Sequence, residues 1–203
     1  MTMLSRKERD RQLRRSDILK AAEHILALKG YHKATLRDIA NEAQYGTGTD
    51  YLHFEDKGSR YFALLEEKLK CLLTMIKEKT VQVKDAKKKL RIFIQEGLVF
   101  FERNQDFFQI FSSEGSDSYT ETRFLKSSIG LQLHEYTESL LKEAQEQRVV
   151  DSSFDPEQIS DVLTSILKTI TLRWLQKKKR DEESLVGLSD TIFKLFLYGA
   201  ANK

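Results

Sequence analysis

The polar side chains best suited to chemistry lie close together between residues 47 and 53, which read Thr-Gly-Thr-Asp-Tyr-Leu-His. Hydroxyl, phenol and imidazole groups donate and accept hydrogen bonds, and Gly48 lets the backbone approach a partner closely. These groups suit contact with phosphates and with the edges of bases. The segment therefore predicts a binding surface whose exposed side is small and polar.

Arrangements typical of catalysis or metal binding are not found in the sequence. The four histidines are scattered along the chain, at His24, His32, His53 and His134. His53 has no carboxylate, cysteine or histidine at the spacing that metal ligands need. Since a glycine-rich phosphate loop and a carboxylate pair near a histidine are also missing, no positioned acid, base or nucleophile is indicated. We expect neither an enzyme nor a protein with a metal or another cofactor.

Composition limits the fold that must position the polar segment. One proline and nine glycines in 203 residues are too few for a sandwich, a barrel or an α/β fold, so an all-α fold is predicted. The single cysteine, Cys71, excludes an internal disulfide and is expected to be buried and inert on a helix. We find no stretch of 18 uncharged apolar residues and no secretory signal, so we expect a cytoplasmic protein that does not span a membrane.

Charge is unevenly distributed along the chain. Residues 1–62 contain 12 lysines and arginines against 9 acidic residues, whereas the remainder contains 22 of each. Six basic residues fall within the first 16: Arg6, Lys7, Arg9, Arg11, Arg14 and Arg15. This stretch resembles an arm that contacts nucleic acid by releasing phosphate counterions. The alternative is a frayed and solvated start of the first helix.

Apolar spacing predicts three short helices in the N-terminal region. The first should end at Lys29, before a C-cap at Gly30, with a buried stripe of Ile18, Ala22, Ile25 and Leu28. Thr35 should cap a second helix of about nine residues, with Asp38 returning a bond to the cap. That helix has an apolar side made of Leu36, Ile39, Ala40 and Ala43. A short turn and a third helix at 47–53 complete a helix-turn-helix pattern.

The rest of the chain predicts six further helices, which makes about nine in all. Their expected ranges are 57–80, 85–103, 106–113, 119–148, 156–179 and 184–200. Asp56 should cap the long helix at 57–80, which we expect to join two domains, 1–60 and 61–203. Asp155 followed by Pro156 marks the clearest helix start, because proline at the first helical position gives up no hydrogen bond.

Residues 16–62 resemble the tetracycline-repressor-like (TetR) regulators. The match runs in order through Ile18, Leu19, Ala21, Ala22, Gly30, Tyr31, Thr35, Ile39, Ala40, Ala43, Gly48, Thr49, Tyr51, His53, Phe54 and Lys57. The resemblance implies an N-terminal three-helix DNA-binding domain and a C-terminal helical domain for ligand binding and dimerisation. By position it assigns DNA contacts to Thr35, Thr47, Gly48, Thr49, Tyr51, His53 and Lys57. Tyr45, in the turn, is a further candidate for DNA contact.

The sequence departs from the family pattern in the turn and in the third helix. Gln44 replaces a glycine, Tyr45 a valine and Gly46 a capping serine. The loss of that cap costs the helix only about a few tenths of a kcal/mol. Asp50 stands where the family has an apolar residue; it needs a partner if buried, or can accept from a cytosine amino group if it faces DNA. We therefore expect an unusual operator sequence or a shifted third helix.

Phenylalanines cluster in the middle of the chain. The candidates for ligand binding are Phe93, Phe100, Phe101, Phe107, Phe108, Phe111 and Phe124. Ordinary core packing can account for most of them. The alternative is a cavity between helices for a small, largely apolar molecule, and the family resemblance implies such an effector.

Two apolar stripes near the C-terminus are wider than packing against one neighbour requires. The candidate dimer-interface residues are Ile159, Leu163, Ile166, Ile170, Trp174, Leu188, Ile192 and Phe196. The family resemblance implies a homodimer in which these helices form a four-helix bundle, and the alternative is a monomer core.

Together these features predict a transcriptional regulator that binds double-stranded DNA. The main hypothesis is a homodimeric repressor that a small ligand releases from a near-palindromic operator. The alternative is a nucleoid-associated or division-linked DNA-binding protein that responds to no small molecule.

Overall fold

The computed structural model describes residues 5–45, 57–105, 108, 123–177 and 184–199. Within these ranges lie seven α-helices, one 3₁₀ helix and no strand, which confirms the all-α prediction. In chain order they are α1 (Arg6–Lys33), α2 (Leu36–Glu42), α3 (Lys57–Thr80), α4 (Ala86–Arg103), α5 (Ser128–Glu146), α6 (Pro156–Leu175), the 3₁₀ helix (Val186–Leu188) and α7 (Ser189–Tyr198). The predicted helix at 47–53 and most of that at 106–113 lie outside the described residues.

The chain divides into two compact units, Met1–Lys68 and Leu69–Lys203. Helix α3 contributes residues to both of them. None of the helices within the described ranges has the length and apolarity that crossing a membrane requires.

Helix α1 begins earlier than its apolar stripe suggests. It starts at Arg6, so the six basic residues from Arg6 to Arg15 lie in its first turns. At Gly30 the backbone has φ 72° and ψ 165°, a conformation that glycine alone adopts readily, and regular helix stops there as expected. Ile18, Ala22 and Ile25 are buried, whereas Leu28 is 66% exposed and does not belong to the stripe. Leu28 lies in the last turn before the break, at the edge of the apolar face.

Helix α4 is the centre of the second unit. It packs against α5, α6, α7 and the 3₁₀ helix. Its residues Leu90, Ile94 and Leu98 have no exposed surface. Helix α5 runs antiparallel to it, because Lys89 near the start of α4 pairs with Glu143 near the end of α5 at 2.6 Å. The Gln147 side chain then closes this end by accepting from the Ala86 backbone N–H at 2.9 Å.

Helix α6 begins as predicted, with Asp155 as its cap and Pro156 in its first turn, and it ends at Leu175 rather than 179. The predicted helix at 119–148 is interrupted at 126–127: residues 123–125 are helical, and α5 begins at Ser128, since the Ser127 hydroxyl donates to the Phe124 carbonyl and accepts from the Gly130 N–H. Residues 119–122 lie outside the described residues. A Cβ at Gly130 would lie 2.1 Å from the Phe124 oxygen, so this close approach requires glycine.

Cys71 is exposed, which corrects the expectation that it is buried. Its neighbours Leu72 and Leu73 are buried in α3, together with Leu69 and Ile76. Successive helical residues are about 100° apart around the axis, so a residue next to an apolar stripe in sequence can still point to solvent.

Candidate nucleic-acid interface

Helix α2 is fixed at its first turn by a reciprocal cap. The Thr35 hydroxyl accepts from the Asp38 backbone N–H at 3.2 Å, and the Asp38 carboxylate accepts from the Thr35 backbone N–H at 3.0 Å. The same carboxylate accepts from the Thr35 hydroxyl at 2.7 Å. This is the capping box that the sequence predicted, and it satisfies two backbone donors that a helix start leaves unpaired.

The carboxylate of Asp38 is held in its charged form. The Lys29 ammonium donates to it at 2.7 Å, and this bond, followed by those from Thr35, lowers its pKa to about 2. The charge also lies in the first turn of α2, where the helix dipole favours a negative group.

Three polar links join α1 to α2 and the turn that follows it. The later a residue lies in α1, the earlier its partner lies in the α2 region. Asp17 accepts from the Tyr45 hydroxyl at 3.0 Å, His24 pairs with Glu42 at 2.6 Å, and Lys29 pairs with Asp38. They span α2 from its capped start to the turn after its end. Lys68 of α3 pairs with Glu23 of α1 at 2.7 Å and ties a third helix to the unit.

The turn after α2 explains two of the departures from the family pattern. Gln44 adopts the left-handed conformation, with φ 58°, that the usual glycine would favour. Its N–H donates to the Asn41 carbonyl at 3.1 Å, and the Tyr45 N–H donates to the Ala40 carbonyl at 3.0 Å. This pair of bonds is the Schellman motif. Gln44 thus keeps the family's helix end without its glycine, and the Tyr45 hydroxyl makes a bond that valine cannot.

The described residues contain only part of the predicted DNA-contact set. Thr35 is exposed at the start of α2, and Tyr45 is half-buried in the turn. Lys57 opens α3, but its side chain is outside what the structure describes. The five remaining candidates lie outside the described residues: Thr47, Gly48, Thr49, Tyr51 and His53. Gly46 and Asp50, where the sequence departs from the family pattern, lie outside them as well.

Some of the candidate ligand-binding phenylalanines meet near the end of α4. The rings of Phe100, Phe101 and Phe108, here called the aromatic cluster, contact one another edge to face at centroid distances of 4.5–6.0 Å. Phe93 is buried elsewhere along α4, and Phe124 is half-buried ahead of α5. Phe107 and Phe111 lie outside the described residues.

The candidate interface residues divide by exposure. Leu163, Trp174 and Ile192 are buried within the single chain, so they have almost no surface left for a partner. Leu188 is 37% exposed, and the other four are half-buried: Ile159, Ile166, Ile170 and Phe196. Three further apolar residues of these two helices are more exposed, namely Val162, Leu195 and Tyr198.

A further contact, between α3 and α5, is not predicted by any sequence pattern. The Tyr136 hydroxyl on α5 lies 2.5 Å from the hydroxyl of buried Thr80 in the last turn of α3. The Lys77 ammonium stands 5.4 Å from the centre of the Tyr136 ring. No spacing rule relates residues 56 positions apart, so only the folded chain brings them together.

Within the described part of the chain, no group of three His, Cys, Asp or Glu side chains could hold a metal ion. The polar contacts described between α1 and the α2 region are hydrogen bonds and ion pairs.

Comparison with known proteins agrees with this geometry. Residues 18–59 match the family described as bacterial regulatory proteins, tetR family. The chain is 23% identical over 186 residues to the fatty acid metabolism regulator protein of Bacillus subtilis, covering 92% of this chain and 95% of that protein. It is 29% identical over 136 residues to the nucleoid occlusion factor SlmA of Vibrio vulnificus, covering 66% and 68%.

Among solved structures, the fold is shared with the transcriptional regulator FadR of Bacillus subtilis in complex with stearoyl-CoA. The TM-score is 0.79 at 22% sequence identity, over 92% of this chain and 99% of the other. The family resemblance of residues 16–62 is thereby confirmed. By its match over residues 18–59 and its similarity to these regulators over nearly the whole chain, the protein is a DNA-binding transcriptional regulator that resembles the TetR family.

Proposed function

We propose that the protein is a cytoplasmic, homodimeric repressor that leaves a near-palindromic operator when a long-chain acyl-CoA binds its second unit. The observation that carries the DNA-binding part is the family match over residues 18–59, which covers α2 and most of α1. The effector class rests on similarity over nearly the whole chain to a regulator of fatty acid metabolism and to a fold neighbour that holds stearoyl-CoA.

The proposed DNA surface consists of the third-helix segment and the residues that flank it. Thr47, Gly48, Thr49, Tyr51 and His53 would meet the major groove, and Lys57 a phosphate. The basic first turns of α1 would add phosphate contacts that weaken with salt. Since the Thr35 hydroxyl is engaged with Asp38 and the Tyr45 hydroxyl with Asp17, these two residues serve the interface mainly by fixing α2 and its turn.

The proposed partner for the C-terminal helices is a second copy of the chain. The predicted interface would use the outer faces of α6 and α7, where Val162 is 52% exposed, Leu195 47% and Tyr198 48%. Half-buried Ile159, Ile166 and Ile170 border that face of α6. In a two-fold dimer the two recognition helices would enter successive major grooves, about 34–36 Å apart.

Effector and DNA would be coupled through α3, because that helix belongs to both units. The Thr80–Tyr136 hydrogen bond connects its last turn to α5. A ligand that displaces α5 would therefore act on α3, and a coupling of this kind is worth about 1–3 kcal/mol.

Gel-shift and anisotropy titrations on DNA flanking the protein's own gene test this proposal. We expect a sequence-preferring complex at physiological salt that stearoyl-CoA dissociates and unacylated CoA does not. Tyr51→Ala should abolish the complex while the circular dichroism spectrum and the dimer stay unchanged. Removal of residues 1–14 should weaken binding and flatten its dependence on salt.

Each possible failure has a separate meaning. If no DNA sequence is preferred, the repressor proposal is wrong. A specific complex that stearoyl-CoA leaves intact would instead contradict the effector. The similarity to SlmA keeps the nucleoid-associated alternative in view. Occupancy of many genomic sites, together with no thermal shift from any small molecule, would favour that alternative.

A further inference from the structure

Two buried hydroxyl groups on α6 have no hydrogen-bond partner among the described residues. They are the side-chain oxygens of Ser160 and Thr171. Ser160 has no exposed surface and Thr171 only 4%. Because folded proteins pair nearly all buried polar groups, and an unpaired one is costly, each such group calls for an explanation.

Three other helical threonines of the second unit behave differently. Thr80, Thr137 and Thr164 each donate to the carbonyl four residues earlier, at 2.8, 2.8 and 2.9 Å. The Thr171 hydroxyl does not use the equivalent Leu167 carbonyl. Thr171 lies on the buried stripe of α6 with Leu163, Leu167 and Trp174, so its free hydroxyl faces the interior of the unit.

The topology puts Thr171 at the same height in the unit as the aromatic cluster. Helices α4 and α6 pack together. Both begin near the end of α5, because Gln147 bonds to Ala86 and the Gln145 side chain donates to the Phe154 carbonyl at 2.8 Å, next to the Asp155 cap of α6. They therefore run in the same direction. At about 1.5 Å per residue, Thr171 is about 22 Å along α6 and Phe100 about 21 Å along α4, whereas Ser160 is only about 6 Å along.

We propose that the Thr171 hydroxyl donates a hydrogen bond to the thioester carbonyl oxygen of the bound acyl-CoA, with the adjoining acyl chain against the aromatic cluster. The inference rests on the proposed function. It joins an unpaired buried donor to apolar ring surfaces at one level of the unit, the combination that an acyl thioester requires. Ser160, at the other end of α6, takes no part in this contact.

Calorimetric titration of the full-length chain with stearoyl-CoA, paired with thermal unfolding of the free protein, tests this role. Thr171→Val keeps the shape of the side chain and removes the donor. We expect the Kd for stearoyl-CoA to rise about tenfold, as loss of a buried hydrogen bond implies. The Tm of the free protein should not fall, because no hydrogen bond is lost. Thr171→Ser keeps the hydroxyl and should bind as the original chain does.

Two variants serve as matched controls. Ser160→Ala also removes an unpaired buried hydroxyl, yet it should leave the Kd unchanged. Thr137→Val removes a hydroxyl bonded to the Leu133 carbonyl, so it should lower the Tm and leave the Kd unchanged.

The outcomes separate this inference from the proposed effector. If the original chain binds stearoyl-CoA and Thr171→Val binds it equally well, the role of Thr171 is overturned and the effector stands. A Tm loss in Thr171→Val like that of Thr137→Val would mean that the hydroxyl is paired within the protein, which also overturns it. If the original chain does not bind stearoyl-CoA, the effector proposal fails and this inference fails with it.

Discussion

The α1–α2 pair of the first unit and the α4 bundle of the second unit are held together by different kinds of contact. Among the residues whose burial is described, the α1–α2 region buries four alanines, Ala21, Ala22, Ala34 and Ala40, and three isoleucines, Ile18, Ile25 and Ile39. The second unit completely buries leucine, isoleucine and phenylalanine side chains, including Leu90, Ile94, Leu98, Leu141, Leu163 and Phe193. Burial of a large aliphatic side chain is worth about 1.5–3 kcal/mol, and alanine contributes much less. The α1–α2 pair is also joined by polar contacts at its surface.

Those surface contacts are the three polar links that involve Asp17, His24 and Lys29. Exposed ion pairs contribute only about 0–1 kcal/mol each, because water and salt screen them. Each of these links thus contributes less to stability than each fully buried large side chain of the α4 bundle. The same kind of substitution should have effects of different size in the two places.

The largest effect is expected in the α4 bundle. Leu98→Ala removes a fully buried side chain and leaves a cavity, so the free energy of unfolding should fall by about 3–5 kcal/mol. Urea denaturation followed by circular dichroism measures it. Val81→Ala, at a residue that is 71% exposed, is the control and should change stability by less than about 0.5 kcal/mol. Equal effects from the two variants would contradict the central position of α4.

An intermediate effect is expected at the start of α2. Thr35→Ala removes the cap hydroxyl and should destabilise the helix by about 1 kcal/mol, seen as faster hydrogen exchange of the α2 amides. Thr35→Ser retains the hydroxyl and should restore most of the protection. Unchanged exchange in Thr35→Ala would mean that the cap is not needed and that the three polar links and the buried Ile39 and Ala40 hold α2.

Thr35→Ala should also change the pKa of Asp38. In Thr35→Ala the pKa of Asp38, which is about 2 in the folded protein, should rise part of the way toward 3.8. Adding Lys29→Ala should bring it closer to 3.8. Because folding lowers this pKa, the stabilisation it gives is present above about pH 4 and is lost as the pH falls toward 2. Carboxyl NMR titration measures both shifts. A pKa of Asp38 that stays near 2 in the double variant would contradict the assigned causes.

The smallest effect should be equal in the two units. Gln44 and Arg148 both follow a helix end in the left-handed conformation, at φ 58° and 57°. Glycine has no steric penalty there, so Gln44→Gly and Arg148→Gly should each stabilise the protein by about 0.5–1 kcal/mol in thermal unfolding. Such a local backbone term is independent of core size. Destabilisation by only one of them would show that its side chain makes a contact that offsets the strain.

The sequence predicted those features that depend on neighbouring residues. The Thr35–Asp38 cap, the Asp155–Pro156 start of α6 and the break at Gly30 each follow from a local rule, and all three are confirmed. Charge counting could not tell that Arg6 already lies in a helix, because a basic stretch is compatible with coil and helix alike. The Tyr45–Asp17 and Tyr136–Thr80 bonds join residues far apart in sequence, so no local rule reaches them.

For the C-terminal helices, apolar stripes alone do not tell which apolar residues stay exposed. A stripe tells which side of a helix avoids water, but it does not tell whether the same chain or a second copy covers that side. Leu163 and Ile192 are covered by their own chain, while Val162 and Leu195 on the same helices are not. Whether a residue on such a stripe is covered depends on which other helices of the chain pack against it. Only the folded structure shows this.

Helix α3 has a consequence for any attempt to separate the two units. The boundary between Lys68 and Leu69 falls inside continuous helix rather than in a loop. Cutting there would leave four backbone carbonyls without their helical donors on one fragment and four N–H groups without acceptors on the other. A fragment that ends at Thr80 would keep the helix whole but expose Leu69, Leu72, Leu73 and Ile76 to water. Domain exchange between relatives should therefore take the whole of α3 from one parent, so that its hydrogen bonds are not interrupted at the boundary.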